Sequence, residues 1–367
     1  MELCEHGDAE VFIKTQRDGL LATVEAQGFL FQMAFALYAG RAELSLRHFD
    51  VKLLNFFVSD ASRLVGSGGG QCGGGGGDVE EGGPVTLRYG VGGDVVELCL
   101  PQDRAYLVKL ADFGTADVDP LTVGNPVEAC HFSTLENTPI EQLCCGNKAV
   151  QGYASDTFAL ALAAFHLFTG EAPYEEIMEE VECPDELYDA LVQTWDQNPQ
   201  YVDVCDIIIN DGGDEEEGDD VGDDDDDDTQ DPTLLHTFYR YLVLFGVPDR
   251  DRLEEAYGTD NPVWKAVGPL LGWKQPRRGR GGRAAAASAT ASKKFCRQLD
   301  RDRAKFSLDR GKNKFVQRAR ARLQEVPGAM ELLKSMASFL PAERPTMLEV
   351  LTSDVFKAFR REGGATR

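Results

Sequence analysis

The sequence has no Cys-x-x-Cys pair among its nine cysteines, no apolar run of membrane length, and no surplus of positive charge. Each absence excludes something. Without paired cysteines or an N-terminal secretory signal, the thiols read as reduced side chains of a cytoplasmic or nuclear protein, not as a disulfide framework or a zinc site. The adjacent Cys144 and Cys145 suit neither arrangement. The longest apolar run, "FALALAAFHLF" from Phe158 to Phe168, falls short of the roughly 20 residues a membrane helix needs, and His166 interrupts it. It reads as a helix buried on most sides. A formal net charge of -25 argues against general affinity for nucleic acid or an anionic membrane, whose phosphates would be repelled.

What is present is enough for a core. With 367 residues, 43% of them hydrophobic, the chain holds one large domain or two ordinary ones. Three stretches have compositions that stay out of a core and read as insertions in surface loops. They are the Gly tract Gly66 to Gly83, the acidic block "NDGGDEEEGDDVGDDDDDDTQD" from Asn210 to Asp231, and the basic, Ala-rich "KQPRRGRGGRAAAASATASKK" from Lys274 to Lys294. The Gly tract satisfies G-x-G-x-x-G from Gly68 to Gly73, but no strand leads into it and no helix follows, so low complexity accounts for it. Between these stretches the pattern is α+β and mainly α-helical. "GFLFQMAFALYAG" predicts a buried helix ended by Gly40. Phe56 to Val58 and Ala105 to Gly114 predict short strands. Met330 to Leu340 and Thr346 to Phe356 predict helices.

Polar residues inside apolar segments carry the chemistry. "LRHFDVKLLNFFV", Leu46 to Val58, wedges Asp50, Lys52 and Asn55 between hydrophobic residues. In order along the chain there follow "VKLADFG", "STLENTPIE", "SDTFALAL", "LFTGEAPY" and "FLPAERPT". This ordered set resembles the C-terminal lobe of the eukaryotic protein kinases, serine/threonine type, and covers most of the chain outside the three insertions. The resemblance implies phosphoryl transfer from ATP, with Mg2+, to a protein hydroxyl. It implies Asp50 as the group that takes the substrate proton, Lys52 as the cation near the transferred phosphate, and Asn55 and Asp112 as ligands of ATP-bound Mg2+. Leu53, Leu54, Phe56 and Phe57 would anchor the loop. Asp50, Asn55 and Asp112 would converge on one cleft.

The remaining matched positions are structural or belong to the activation segment. His48 opens the catalytic motif, and Asp156 stands where the family has the Asp that holds the catalytic-loop backbone. Glu141 and Arg344 stand where the family has a buried ion pair. Phe113 and Gly114 complete the DFG motif, and Thr134 falls where an activation-segment Thr contacts the catalytic Asp and Lys. An ordinary loop threonine reads the same way there. Phe49 replaces the Arg of HRD, so activation through an activation-loop phosphate is not expected. Asn137 and Pro139 also depart from the pattern.

The implied organisation is a kinase-like hinge and C-terminal lobe over residues 1–359, with inserts at 61–104, 208–232 and 274–294 and a tail at 360–367. "MELCEHGDAEVFIK" resembles the hinge, and the Gly-rich loop, strand Lys and helix Glu that the family places before it are missing. The expectation is that the true start lies upstream of Met1 and that the chain alone binds Mg-ATP weakly. Two readings stand: a protein serine/threonine kinase acting on a protein substrate, and a non-catalytic interaction module that binds partners through its exposed face and its acidic and basic inserts. A chaperone role rests on the acidic composition alone, and the later motifs disfavour a small-molecule kinase. Nucleic acid and membrane partners are not expected.

Overall fold

A computed structural model describes residues 4–61, 84–126, 137–150, 152–172, 180–201, 234–273 and 282–360. The acidic block, Thr134, residues 66–83 and residues 274–281 lie outside them. The architecture is α+β and mainly helical, with two short antiparallel strand pairs among the described residues. Among the described residues no helix is long and apolar enough to cross a membrane.

Two buried helices organise the core. Helix α1 (Ala9–Thr15), capped by the Asp8 carboxylate on Val11 N–H at 2.9 Å, leads to α2 (Thr23–Leu44). Its residues Phe29, Leu30, Phe31, Met33 and Ala34 are all buried, so α2 carries apolar residues on most faces, as its sequence requires. Gly40 does not end this helix. The chain continues to Leu44 and stops at Ser45 in the left-handed region (φ 56°), while a Cβ on Gly40 would lie 2.6 Å from Leu46 Cδ2. Gly40 is a packing glycine.

After α3 (Ile140–Cys145) comes α4 (Tyr153–Thr169), buried without a break from Ser155 to Phe168. Gly170 ends it at φ 81°, where a Cβ would meet Gly19 O at 2.4 Å, so only glycine lets the helix stop against that backbone.

Strands β1 (Phe56–Asp60) and β4 (Tyr106–Leu110) pair antiparallel from Phe56↔Leu110 to Asp60↔Tyr106. Strands β2 (Val85–Val91) and β3 (Asp94–Leu100) form a hairpin whose two-residue turn, Gly92–Gly93, has both φ values positive (59° and 95°). This hairpin lies inside the insert expected over 61–104, and β1 and β4 pair directly on either side of it. Tyr89, Val91, Val96 and Leu98 belong to the main core, and the Tyr89 ring packs on Phe31 and Phe35 of α2. Gln32 is the polar joint: its Oε1 accepts from Tyr89 Oη (3.1 Å) and Val108 N–H (3.0 Å), and its Nε2 donates to Tyr106 O (3.1 Å). Every polar atom of this buried side chain therefore has a partner.

The C-terminal half is helical: α5 (Asp185–Asp196), α6 (Leu234–Leu244), α7 (Arg250–Tyr257), α8 (Pro262–Leu270), α9 (Gly282–Phe306), α10 (Lys314–Gln324), α11 (Ala329–Met336) and α12 (Met347–Leu351). The basic, Ala-rich stretch is thus a loop insertion only in name. From Gly282 it is helix, because Ala has the highest helix propensity and Phe295, Leu299 and Phe306 repeat at helical spacing and are buried. The two expected C-terminal helices are shorter than their apolar patterns, and a 3-10 turn at Asp354–Phe359 completes the second.

Candidate functional site

The loop between α2 and β1 holds Asp50, Lys52 and Asn55. After Ser45 the Leu46 N–H returns to Gly40 O (3.1 Å), and the chain turns into the loop. Asp156, one turn into α4, holds it from beneath. Its Oδ2 accepts from His48 N–H and its Oδ1 from Phe49 N–H, both at 2.8 Å. Phe49 has a left-handed backbone (φ 62°), which lets successive N–H groups aim at one carboxylate. Burial pushes the Asp156 carboxyl above its ordinary value, and the two N–H bonds oppose that.

Within the loop Asp50 is buried. Asn55 Nδ2 donates to Asp50 O (2.7 Å) and to Asp50 Oδ2 (2.8 Å), and Lys52 Nζ lies 3.0 Å from the same carboxylate oxygen. An amide and a cation therefore fix one carboxylate in one orientation. The apolar anchors are Val51, Leu53 and Phe56, all buried, with Phe57 half-buried. Leu54, expected among them, is 45% exposed; Val51 fills the core in its stead.

The Asp112 turn is joined to this loop through its neighbour. Ala111 N–H donates to Asn55 O (2.9 Å), and His48 Nε2 donates to Ala111 O (2.9 Å). Asp112 follows at φ 55°, exposed, with its Oδ1 accepting from Gly114 N–H at 3.3 Å. A Cβ on Gly114 would sit 3.3 Å from that oxygen, a tight contact with an exposed side chain. Phe113 is 53% exposed, its ring 5.4 Å from that of His48.

A second cluster adjoins the first through α4. Arg344 Nη1 and Nη2 donate to Glu141 Oε1 (2.9 Å) and Oε2 (2.7 Å), and both side chains are buried. Nη1 also donates to Ala154 O (3.0 Å), and Ser155 Oγ to Glu141 Oε1 (3.0 Å), so this fork grips the residues just before Asp156. The geometry brings together His48, Asp50, Lys52, Asn55, Asp156 and the Asp112–Gly114 turn, and it joins Glu141 to Arg344.

Arg47 is the residue that sequence reasoning missed. Its guanidinium is fully buried, with Nη2 2.8 Å from Asp117 Oδ2, 2.8 Å from Asp119 O and 2.7 Å from Thr122 Oγ1. Main-chain bonds of 2.9 Å run both ways between Arg47 and Asp117. The Thr122 hydroxyl donates to Asp117 Oδ2 (2.5 Å), and this bond, before the Asp119 N–H and the Arg47 charge, holds the Asp117 carboxyl below its usual range. The segment that follows Asp112 is thereby tied to the loop that carries Asp50. "DVDPLT" is a legible turn signal, Asx and Pro together, but nothing in it names Arg47 as partner.

No family model matches the chain, and no curated protein matches it by sequence. Solved structures similar to it include a Plasmodium kinase domain, at 12% identity over 95% of this chain and 70% of that one, with a TM-score of 0.46. Another is the yeast RNA Pol II CTD kinase CTDK-1 complex, at 14% identity over 97% of this chain and 69% of that one, with a TM-score of 0.44. Likenesses of this degree carry nothing about activity.

Proposed function

We propose that residues 1–359 form a protein-kinase-like catalytic lobe that transfers the γ-phosphoryl group of ATP to a serine or threonine hydroxyl of a protein substrate. The observation that carries this reading is the Asp50–Lys52–Asn55 cluster, seated on Asp156 and hydrogen-bonded through Ala111 to the Asp112 turn. In it Asp50 takes the proton of the incoming hydroxyl while that oxygen bonds to the γ-phosphorus and the bond from phosphorus to the departing ADP oxygen breaks. Lys52, 3.0 Å from Asp50, supplies positive charge beside the transferred group. The pair also keeps the carboxylate aimed.

Asn55 spends its amide hydrogens on Asp50, so its carbonyl oxygen is the atom suited to a cation, and Asp112 adds an exposed carboxylate. One amide and one carboxylate fit Mg2+, a hard ion that keeps several waters and substrate phosphate oxygens as ligands. When bound, Mg2+ neutralises charge on the β- and γ-phosphate oxygens.

Incubating the full chain with Mg-ATP and mixed protein substrates, then mapping phosphoserine and phosphothreonine by mass spectrometry, tests this. Asp50→Asn is expected to slow transfer by about 10²- to 10⁴-fold. Equal rates in the parent and the variant, with folding matched, would refute the assignment. The exposed Phe113 and Leu121 (53% and 85%) favour one second reading, a non-catalytic module that binds a partner along this segment. On that reading Asp50→Ala leaves the cellular role unchanged.

A further inference from the structure

A strongly basic surface stands apart from the site just described. Residues 289–322 hold twelve Lys and Arg against three Asp, in a chain of net charge -25. Three of the arginines are structural: Arg303 donates to Leu242 O (2.7 Å), Arg320 to Leu308 O (3.0 Å) and Arg322 to Phe168 O (3.0 Å). Lys294 and Lys305 face Glu186 and Glu180. Arg318 lies 3.7 Å from Glu171, and Arg301 lies 3.6 Å from its neighbour Asp302. What remains, with Arg301, is an exposed ridge. Lys293, Arg297 and Arg301 follow at four-residue steps on one face of α9, about 12 Å from first to last. Lys312 extends the row, because its N–H is held by Ala304 O at 3.1 Å, and Arg310 and Lys314 flank it, both exposed. Among the described residues no carboxylate pairs with Lys293, Arg297, Arg310, Lys312 or Lys314.

We propose that this ridge is a docking surface for a run of carboxylates, and that its occupant is the acidic run of the same chain, Asp211 to Asp231. Charge is the first argument. That run has fourteen Asp and Glu and no Lys or Arg. Attachment is the second. The run ends three residues before Leu234, where α6 begins, and α6 lies parallel to α9: Tyr239 Oη meets Asp302 Oδ2 (2.7 Å), Leu242 O meets Arg303, and Leu244 O accepts from Leu308 N–H (3.0 Å). The Tyr239 ring also lies 6.2 Å from that of Phe295, so stepping five residues back along α6, about 7.5 Å, brings Leu234 toward the Lys293 end of the ridge. The two connecting residues, Pro232 and Thr233, make three chain steps that span up to about 10 Å. A ligand tethered that closely has an effective concentration of about millimolar, ahead of any free polyanion. The consequence is a basic face that the chain occupies from within and withholds from external phosphate backbones. It does not depend on the phosphoryl-transfer reading.

Zero-length carbodiimide coupling on an equal mixture of isotope-labelled and unlabelled full chain tests the contact. At about 0.05 M salt, links within one copy from Asp211–Asp231 to Lys293, Lys312 or Lys314 are expected, and at about 0.5 M they should fade with screening. Replacing Asp223 through Asp228 by Asn should raise affinity for heparin, used as a polyanion probe, by about tenfold or more. Adding R297E and R301E should abolish that gain. Links that reach only lysines away from the ridge, such as Lys148 and Lys357, would overturn the proposal. So would links that join only different copies, or equal heparin affinity in the parent and the Asn variant.

Discussion

Replacing Arg344 by Met removes the buried fork while keeping the volume of the stem. Four hydrogen bonds disappear: two to Glu141, one to Ala154 O and one from Nε to Ser338 O (2.8 Å). Glu141, 3% exposed, keeps Ser155 Oγ as the hydrogen-bond donor on its carboxylate. Stranding one partner of a buried pair costs about 3 to 5 kcal/mol, so the loss should be plain in urea unfolding. Arg344→Lys retains the charge but not the fork, and should fall between parent and Met variant. The double variant Glu141→Leu with Arg344→Met decides the cause. It removes both charges, so it should recover much of the loss, leaving a deficit of about 1 to 2 kcal/mol for the two abandoned carbonyls and the Ser155 hydroxyl, which loses its acceptor. A single-variant loss below about 1 kcal/mol would refute the argument that an isolated buried carboxylate is what costs. A double variant no better than the single one would do the same, because the cycle would then show no coupling.

Asp156→Ala strands the His48 and Phe49 N–H groups and should cost about 2 to 4 kcal/mol in unfolding experiments, with any phosphoryl transfer lost alongside. His166, buried on α4, has its pKa lowered to about 4 by burial; between that value and its ordinary 6.5 the unfolded chain binds the extra proton, so stability rises with pH across that window and is lost as pH falls. Its share of the loss from pH 7 to pH 5 is about 2 kcal/mol, and His166→Leu should flatten the stability profile by that amount. Gly170→Ala and Gly19→Ala both put a side chain at positive φ (81° and 64°), but a Cβ at Gly170 meets Gly19 O at 2.4 Å whereas nothing lies within 4 Å of one at Gly19. The first should cost about 3 kcal/mol and the second about 1; equal losses would show that the backbone at Gly170 yields.

The site was more legible in the sequence than the elements around it, for a physical reason. A fixed spacing such as Asp50, Lys52 and Asn55 on one short loop is set by local chain geometry, so it survives in the sequence as a pattern. The pairing of Glu141 with Arg344 spans 203 residues and was readable only from the order of the motifs. Composition misled where it was averaged. "VTLRYGVGGDVVELCL" alternates at period two around a Gly-Gly turn, yet beside the Gly tract it counted as insertion. The helix α9 was hidden the same way, by an Ala-rich start that reads as low complexity although Phe295, Leu299 and Phe306 mark its buried face. At α2 the apolar run gave the middle and missed both ends. Those polar turns are held by Glu25 accepting from Ala22 N–H (2.9 Å) and by Arg41, whose guanidinium stacks 4.0 Å from the Tyr153 ring centre.

Phe49 and Arg47 show how a substitution read one residue at a time can mislead. With Phe at position 49, the loop that carries Asp50 lacks the Arg of the HRD pattern, and the sequence reading went no further than excluding an activation-loop phosphate. Two positions earlier, Arg47 supplies a fully buried cation whose guanidinium carbon lies 6.0 Å from the centre of the Phe49 ring. A guanidinium taken out of water requires an anion, and this one has it within the segment itself, in Asp117, with Thr122 closing the contact. The requirement for a charge partner is therefore met by a carboxylate encoded in the chain. A phosphate competing for Arg47 would have to displace its 2.8 Å ion pair with Asp117, which like-charge repulsion opposes. The order of the segment that carries Phe113 and Gly114 then follows from side chains present at synthesis, and Arg47, not position 49, is where it is set.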